Sequence, residues 1–415
     1  MTVTADKETI LLLGNYRPTL TLARVLSKQG SRIISGLEGC DGGAEYSRHV
    51  DQIWHHQPVK TNPEGFLKSL PAFVRANNVA VIFPVSEEFV RLFAERPDLE
   101  CGNAVIATVH ADLIKRCLDK ISMMKLAQAY NIPTAAFAFA GNQSQLLKKS
   151  QALGFPLVIR PQDSNQRIDS KKALFIQDMQ DLNRQLPKWP ALQKGLIIQK
   201  KAKGRRHNIY FAAQRGKLYR YLHAVILRTD IKDGSGLAVE GITIRPDAQL
   251  QRFTATLVKN LDYSGIGCAQ YLVDEDTGNI SFLEINPRIA GNHAVPEFAG
   301  LELSSILVDM AKNKALDTRF IHGATGIRYV WTYGDLLSTK SAWLRREIGN
   351  IATIARILRA IRAGFRAHIH MSYVWHDPRP AIMSLLSLVP NWRRLFARHT
   401  HRERSTARAQ ARPPH

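Results

Sequence analysis

The segment "QYLVDEDTGNISFLEINPR", Gln270 to Arg288, constrains the fold more than any other part of the chain. Two apolar runs flank Asp-Glu-Asp-Thr-Gly-Asn, residues that favour a tight reversal, so a β-hairpin is expected here. Strand side chains alternate between faces, which puts Glu284 and Asn286 on one side and Leu283 and Ile285 on the other. With the loop centred on Thr277, antiparallel pairing sets Gln270 opposite Glu284, on the same face. One carboxylate and two amide oxygens then converge. Such a donor set suits magnesium or manganese, hard cations that take few protein oxygens and share their remaining positions with water and phosphate. Pro287 ends the strand, and Arg288 just beyond it is placed to neutralise phosphate. Taken alone, Glu-x-Asn-Pro-Arg also describes an ordinary strand end with a turn signal; the phase of Gln270 is what favours a site.

Upstream, "TILLLGNYRPTLTLARVLSKQGSRIISGL" reads strand, glycine turn, helix, strand, and two further strand-then-helix stretches follow. That rhythm predicts a parallel sheet ending near residue 110. The opening lacks G-x-G-x-x-G, so it is read as a structural Rossmann-like unit rather than a dinucleotide site. Next come a helix over "LDKISMMKLAQAYNIP", closed by Asn131 and Pro133, and a strand, "PLVIRP", ending at Arg160. A strand pair is expected at "GLIIQKKAKG" and "RHNIYFAAQRGKLYRYLHAVILR".

With 415 residues, 45% of them hydrophobic, the chain has enough apolar material for two or three cores. The four cysteines are scattered, suggesting neither a disulfide framework nor a zinc site, and favour a reducing, cytoplasmic setting. The N-terminus does not resemble a signal peptide, and no apolar window reaches membrane-span length. A formal charge of +22 complements polyphosphates, nucleic acid or anionic membrane surfaces, and much of the excess lies toward the C-terminus. There, "WLRREIGNIATIARILRAIRAG" aligns Leu344, Ile348, Ile351, Ile354, Leu358 and Ile361 along one helical stripe, with Arg345, Arg346, Arg356 and Arg359 mostly opposite. The expectation is a helix packed on the core with a solvated charged face. Contact of this helix and the Arg-rich tail with anionic lipid or a lipid-linked substrate is the alternative. Nucleic acid ranks lower, because no aromatic pattern interleaves the basic residues.

Taken in order, these motifs resemble the ATP-grasp superfamily, and Gln270 followed by Glu284-x-Asn286 most resembles its carbamoyl phosphate synthetase branch. The similarity runs to about Lys314. It implies a mixed α/β and α+β architecture: a Rossmann-like pre-ATP-grasp domain (1–110), an N-terminal lobe (111–195) and a C-terminal lobe with the metal site (196–315); periodicity and composition add a helical extension (316–391) and a disordered basic tail (392–415). It also implies ATP and Mg2+ bound between the lobes, and a ligase that activates a small carboxylate as an acylphosphate for attack by an amine. By motif, Lys120 resembles the lysine opening the first lobe and Arg160 the phosphate-contacting cation. Gln199 and Lys200 fall beside the adenine and His207 near the ribose. The family's glycine-rich flap corresponds to "PQDSNQRIDSKKAL", which has no glycine and leaves Ser170, Lys171 and Lys172 to cover phosphates by charge. Its loss admits a second reading, a nucleotide-binding regulator without turnover. The acceptor carboxylate needs cations or amides, for which Arg228, His223, Asn292 and His293 are the candidates; pairing of Arg228 with Asp230 or Asp233 is the rival.

Overall fold

A computed structural model describes residues 7–38, 43–162, 166–168, 171, 173–186, 195–231, 234 and 236–390. The expectations for Ser170, Lys172, Asp233 and the basic tail lie outside these residues. The first sheet is parallel and comprises β1 (Thr9–Leu13), β2 (Arg32–Leu37), β3 (Gln52–His55), β4 (Val79–Pro84) and β5 (Val105–Ile106), in spatial order β3-β2-β1-β4-β5. Helices α1 (Arg17–Lys28), α2 (Pro63–Ala76) and α3 (Glu87–Glu95) make the crossovers. β1 is buried along its whole length, as its unbroken apolar run demands of a strand between parallel neighbours. Gly14 follows at φ +105°, and a Cβ there would stand 3.0 Å from both Cβ and N of Ser86, so the turn leaving β1 requires glycine.

Two helices, α4 (Ala111–Leu118) and α5 (Lys120–Ala129), lead into a second, antiparallel sheet. Asp119 caps α5, its Oδ1 accepting from the amides of Ile121 at 3.1 Å and Ser122 at 3.2 Å, which fixes Lys120 in the first turn. The second sheet has β6 (Phe137–Ala140), β7 (Leu157–Pro161), β8 (Leu174–Ile176) and β9 (Leu196–Lys200) in order β6-β9-β7-β8, with α6 (Gln143–Leu153) and α7 (Met179–Gln185). Leu146, Leu157, Ile159, Ile176, Leu182 and Ile198 give this unit a core of its own.

The third sheet is built on β10 (Arg205–Gln214), β11 (Lys217–Thr229), β12 (Ala238–Ile244), β13 (Gly265–Val273) and β14 (Ile280–Asn286). Thus "GLIIQKKAKG" does not pair with the strands after it: β9 joins the second sheet, while β10 and β11 pair with each other. One face of the sheet packs on α8 (Ala248–Asn260) with α4 and α5. The other shares a continuous core with β1, β4 and α1 and with α9 (Ala294–Phe298) and α10 (Leu303–Ala311). The C-terminal segment is more than helical, because β15 (Ile321–His322), β16 (Arg328–Val330) and β17 (Ile369–His370) extend the third sheet. Its helices are α11 (Thr332–Leu344), α12 (Asn350–Phe365) and α13 (Arg379–Leu386). Here the structure overturns the expected packing: the buried residues of α12 are Ala360 and Ala363, and its isoleucine stripe faces solvent. Small alanines let the helix lie close against its neighbours, leaving the large side chains outside.

Candidate active site

A cleft of ≈ 1050 Å³ lies where the three sheets meet, lined by Lys120, Arg160, Lys200, Glu284 and Asn286 among others. β13 and β14 form its floor. They pair Cys268 with Asn286, Ala269 with Ile285 and Gln270 with Glu284, and the register then shifts so that Tyr271 faces Phe282. Leu283 is therefore an extra residue, a bulge, which changes the parity expected from strict alternation. Phe282 and Ile285 both enter the core against α4, α5 and α8, whereas Leu283 lines the cleft beside Glu284 rather than facing away from it. Asn286 Nδ2 donates to Glu284 Oε1 at 3.0 Å, and Lys120 Nζ stands 3.3 Å from Oε2.

Burial opposes the Glu284 charge, but Lys120, Arg160 and the Asn286 amide outweigh it and hold the carboxyl at about 2. The group is ionised throughout the neutral range. Arg160, at the end of β7, lies within the field of the same carboxylate; burial lowers its pKa and Glu284 partly offsets this. Its Nε and Nη2 are buried and have no partner among the described residues. Two orphaned guanidinium donors in a cleft are the arrangement an anionic oxygen completes. Arg288 is more heavily committed: Nη2 donates to Glu87 Oε2 at 3.1 Å and to Asn286 Oδ1 at 3.4 Å, and Nη1 to the Ile289 carbonyl at 3.2 Å. Its buried Nε has no partner among the described residues. Burial would lower its pKa, but Tyr16 and Glu87 keep it raised, so it stays a cation.

Gln199 and Lys200 line the cleft from β9, Gln199 donating to Met124 Sδ at 2.9 Å and Lys200 to the Phe155 carbonyl at 2.5 Å. In register with Gln199 is Val158, which with Phe175, Leu272 and Leu283 gives the cleft apolar walls suited to a planar ring. Asn292 is buried at the opposite end and donates to Tyr329 Oη at 3.2 Å.

Other expected residues lie elsewhere. On β10, Arg206 and Asn208 line the cleft, so strand alternation turns His207 to the other face, where its Nδ1 lies 2.8 Å from His223 Nε2. Neither imidazole reaches the cleft. Burial lowers both pKa values, and His207 adds to the effect on His223, which falls to about 4. His293 is buried against Ser304 and Glu297. Lys171 is exposed and bridges to the Ile168 backbone, while Gln166 and Arg167 of that segment line the cleft instead. Arg228 does line the cleft, but Nε donates to Glu240 and Nη2 to Asp335, both at 2.6 Å, rather than to Asp230. Among the described residues, Nη1 is the Arg228 nitrogen without a recorded side-chain partner.

Sequence reading missed Tyr16, Arg17, Glu87, Trp331 and Arg356, all of which line the cleft. Arg17 carried a signal, since it follows the C-terminal end of the first parallel strand, where open α/β sheets bind ligands. Its guanidinium lies 3.8 Å from the Trp331 ring centroid, and Nη1 donates to the Ala238 carbonyl at 3.3 Å. Burial pulls it down to about 10, still cationic at neutral pH. Trp331 and Arg356 come from the C-terminal segment, and no local pattern announced them. Among the described residues, no three His, Cys, Asp or Glu side chains cluster as a metal centre, so a cation here would rest on one carboxylate and amides.

Residues 240–319 match the family model of the carbamoyl-phosphate synthase L chain ATP-binding domain. A D-alanine–D-alanine ligase from Acinetobacter baylyi is 24% identical over 210 residues, covering 46% of this chain and 65% of that ligase. Among solved structures, N5-carboxyaminoimidazole ribonucleotide synthetase in its ADP complex superposes with a TM-score of 0.62 at 15% identity, covering 83% of this chain and 87% of that one. The biotin carboxylase–βγ-ATP complex from Campylobacter jejuni gives 0.60 at 15% identity, covering 75% and 72%.

Proposed function

We propose that this chain is a member of the ATP-grasp superfamily and acts as an ATP- and magnesium-dependent ligase that activates a small carboxylate for attack by an amine or related nucleophile. The observation that carries the reading is Arg160, with two buried donor atoms lacking partners among the described residues, in the field of Glu284 on the Gln270–Glu284–Asn286 floor. The donor set fits a magnesium ion, which would be held by Glu284, Asn286 and Gln270 and would neutralise and orient phosphate oxygens.

Lys120, Arg160 and Arg288 offset the remaining charge of the triphosphate and of the transferring group. The Val158, Phe175, Leu272 and Leu283 walls hold the base, with Gln199 and Lys200 at its polar edge. A carboxylate oxygen of the first substrate attacks the γ-phosphorus, the bond to the β-phosphate bridging oxygen breaks, and ADP leaves. The amine then attacks the acyl carbon, phosphate departs, and the amine proton is lost. No side-chain nucleophile is needed, and the task of the protein is positioning and charge neutralisation. At the far end Arg17, Asn292 and Nη1 of Arg228 are the groups we assign to the carboxylate.

ADP release measured against pairs of amino, hydroxy and sugar acids with amine acceptors tests this reading. A pair that stimulates release in a magnesium-dependent manner is the expected outcome. Tight ATP binding with no stimulation by any pair would instead mark a nucleotide-binding regulator.

A further inference from the structure

The α12 helix is an inverted amphipathic element. Ile351, Ile354, Leu358, Ile361 and Phe365 form a solvent-facing row, with Ile351 87%, Leu358 60% and Phe365 90% exposed. Helices of monomeric proteins turn such a row inward. At its N-terminal end the row continues into exposed Trp343 and Leu344 of α11, because Trp343 Nε1 donates to Asn350 Oδ1 at 2.9 Å. A contiguous exposed apolar surface of this kind marks an interaction site.

Charge indicates what covers it. The helix sequence, "NIATIARILRAIRAGF", contains three arginines and neither aspartate nor glutamate. At 100° per residue, Arg359, Arg362 and Arg366 run along one flank of the row. Among the described residues, no carboxylate pairs with any of the three or with Arg346. Two copies meeting through this face would bring these arginines together, in a chain already at +22. The Arg-rich segment after residue 390 has too few large apolar side chains to cover an isoleucine row. An anionic lipid surface complements both features, accepting the row into the acyl boundary while its phosphates meet the flanking arginines.

We propose that the exposed face of α12, extended by Trp343 and Leu344, docks the protein on anionic membrane surfaces. The helix lies flat on the bilayer and does not cross it; among the described residues, no helix is long and apolar enough to span a membrane. Arg356, on the side of the helix away from the row, lines the cleft, so docking sets the cleft about one helix diameter, ~10 Å, from the headgroups.

The test is flotation of the full chain with phosphatidylcholine vesicles, with and without phosphatidylglycerol. The protein is expected to float only with the anionic vesicles. Ile354→Asp/Leu358→Asp, at positions already exposed to water, is expected to keep the wild-type thermal midpoint and weaken binding ~10-fold or more. Arg362→Glu/Arg366→Glu should also weaken it, with a reduced salt dependence. Failure to float overturns the proposal. So does unchanged binding of the aspartate variant, which would place lipid contact elsewhere, as on the basic tail. A wild-type dimer that the aspartate substitutions convert to a monomer, seen by light scattering, would assign the face to a second copy and overturn it equally.

Discussion

Replacing Glu284 with glutamine keeps its shape and removes its charge, which makes Glu284→Gln the most informative perturbation of the cleft. In the native protein the carboxyl lies at about 2, against an ordinary value of 4.5, because Lys120 and Arg160 outweigh the cost of burial. A difference of this size corresponds to about 3 kcal/mol at neutral pH, since each unit is about 1.4 kcal/mol. The sign follows from linkage: a depressed carboxyl stabilises the fold above its unfolded value and loses that contribution as pH falls through its folded value. Glutamine should therefore cost up to about 3 kcal/mol at pH 7, about 1 kcal/mol at pH 3 and nothing below about pH 2. Urea unfolding of both proteins at pH 7 and pH 3 measures the gap, with the second sheet and its separate core watched by a different probe in case it unfolds on its own. Calorimetric ATP titration with and without Mg2+ supplies the functional arm, in which the variant should lose the enhancement by magnesium. A stability gap equal at both pH values would refute the electrostatic account of Glu284. An undiminished magnesium enhancement would refute its proposed role as a ligand.

Three further outcomes are expected. Arg160→Met should weaken ATP binding by roughly 10- to 100-fold in calorimetry, because Nε and Nη2 have no hydrogen-bond partner among the described residues, and should let the Glu284 carboxyl rise from about 2 by removing one of the two cations that hold it there. Arg228→Met should destabilise by about 3–5 kcal/mol in urea unfolding, since it strands Glu240 and Asp335, two largely buried carboxylates that now share one guanidinium. His223 lies at about 4, below its ordinary 6.5, so the unfolded chain binds its proton first and stability falls as pH drops from about 6.5 toward 4. His223→Gln should flatten that decline in thermal scans between pH 7 and 4, without changing ATP affinity, because the imidazole lies outside the cleft.

The hairpin was readable because two local rules agree. Alternation assigns faces, and the Asp-Thr-Gly-Asn turn sets the register, so Gln270 opposite Glu284 follows from sequence spacing and is the pairing observed. The bulge at Leu283 was not readable, since an extra residue in one strand answers to the packing of Phe282 and Ile285 beneath it. Alternation would also have turned His207 away from the cleft once Arg206 or Asn208 was known to face it. That knowledge needs the neighbouring sheet. The partners of Arg228 lie 12 and 107 residues along the chain, and no local pattern specifies a contact made through tertiary packing. For α12, periodicity correctly gave a helix with an apolar stripe, but which side of a helix is buried depends on what it packs against. Ala360 and Ala363 won that choice because they permit close approach.

By itself, the sequence determined the βαβ opening, the oxygen-rich hairpin and the amphipathic helix, because each is fixed by side-chain periodicity and turn chemistry within a few residues. Tertiary structure decided the rest: that Lys120 of α5 pairs with Glu284 while Arg160 of the second sheet adds its field, that Arg17 and Trp331 line the same cleft, and that the isoleucines of α12 face outward. Those outcomes depend on which surfaces bury one another, a property of the whole packed chain.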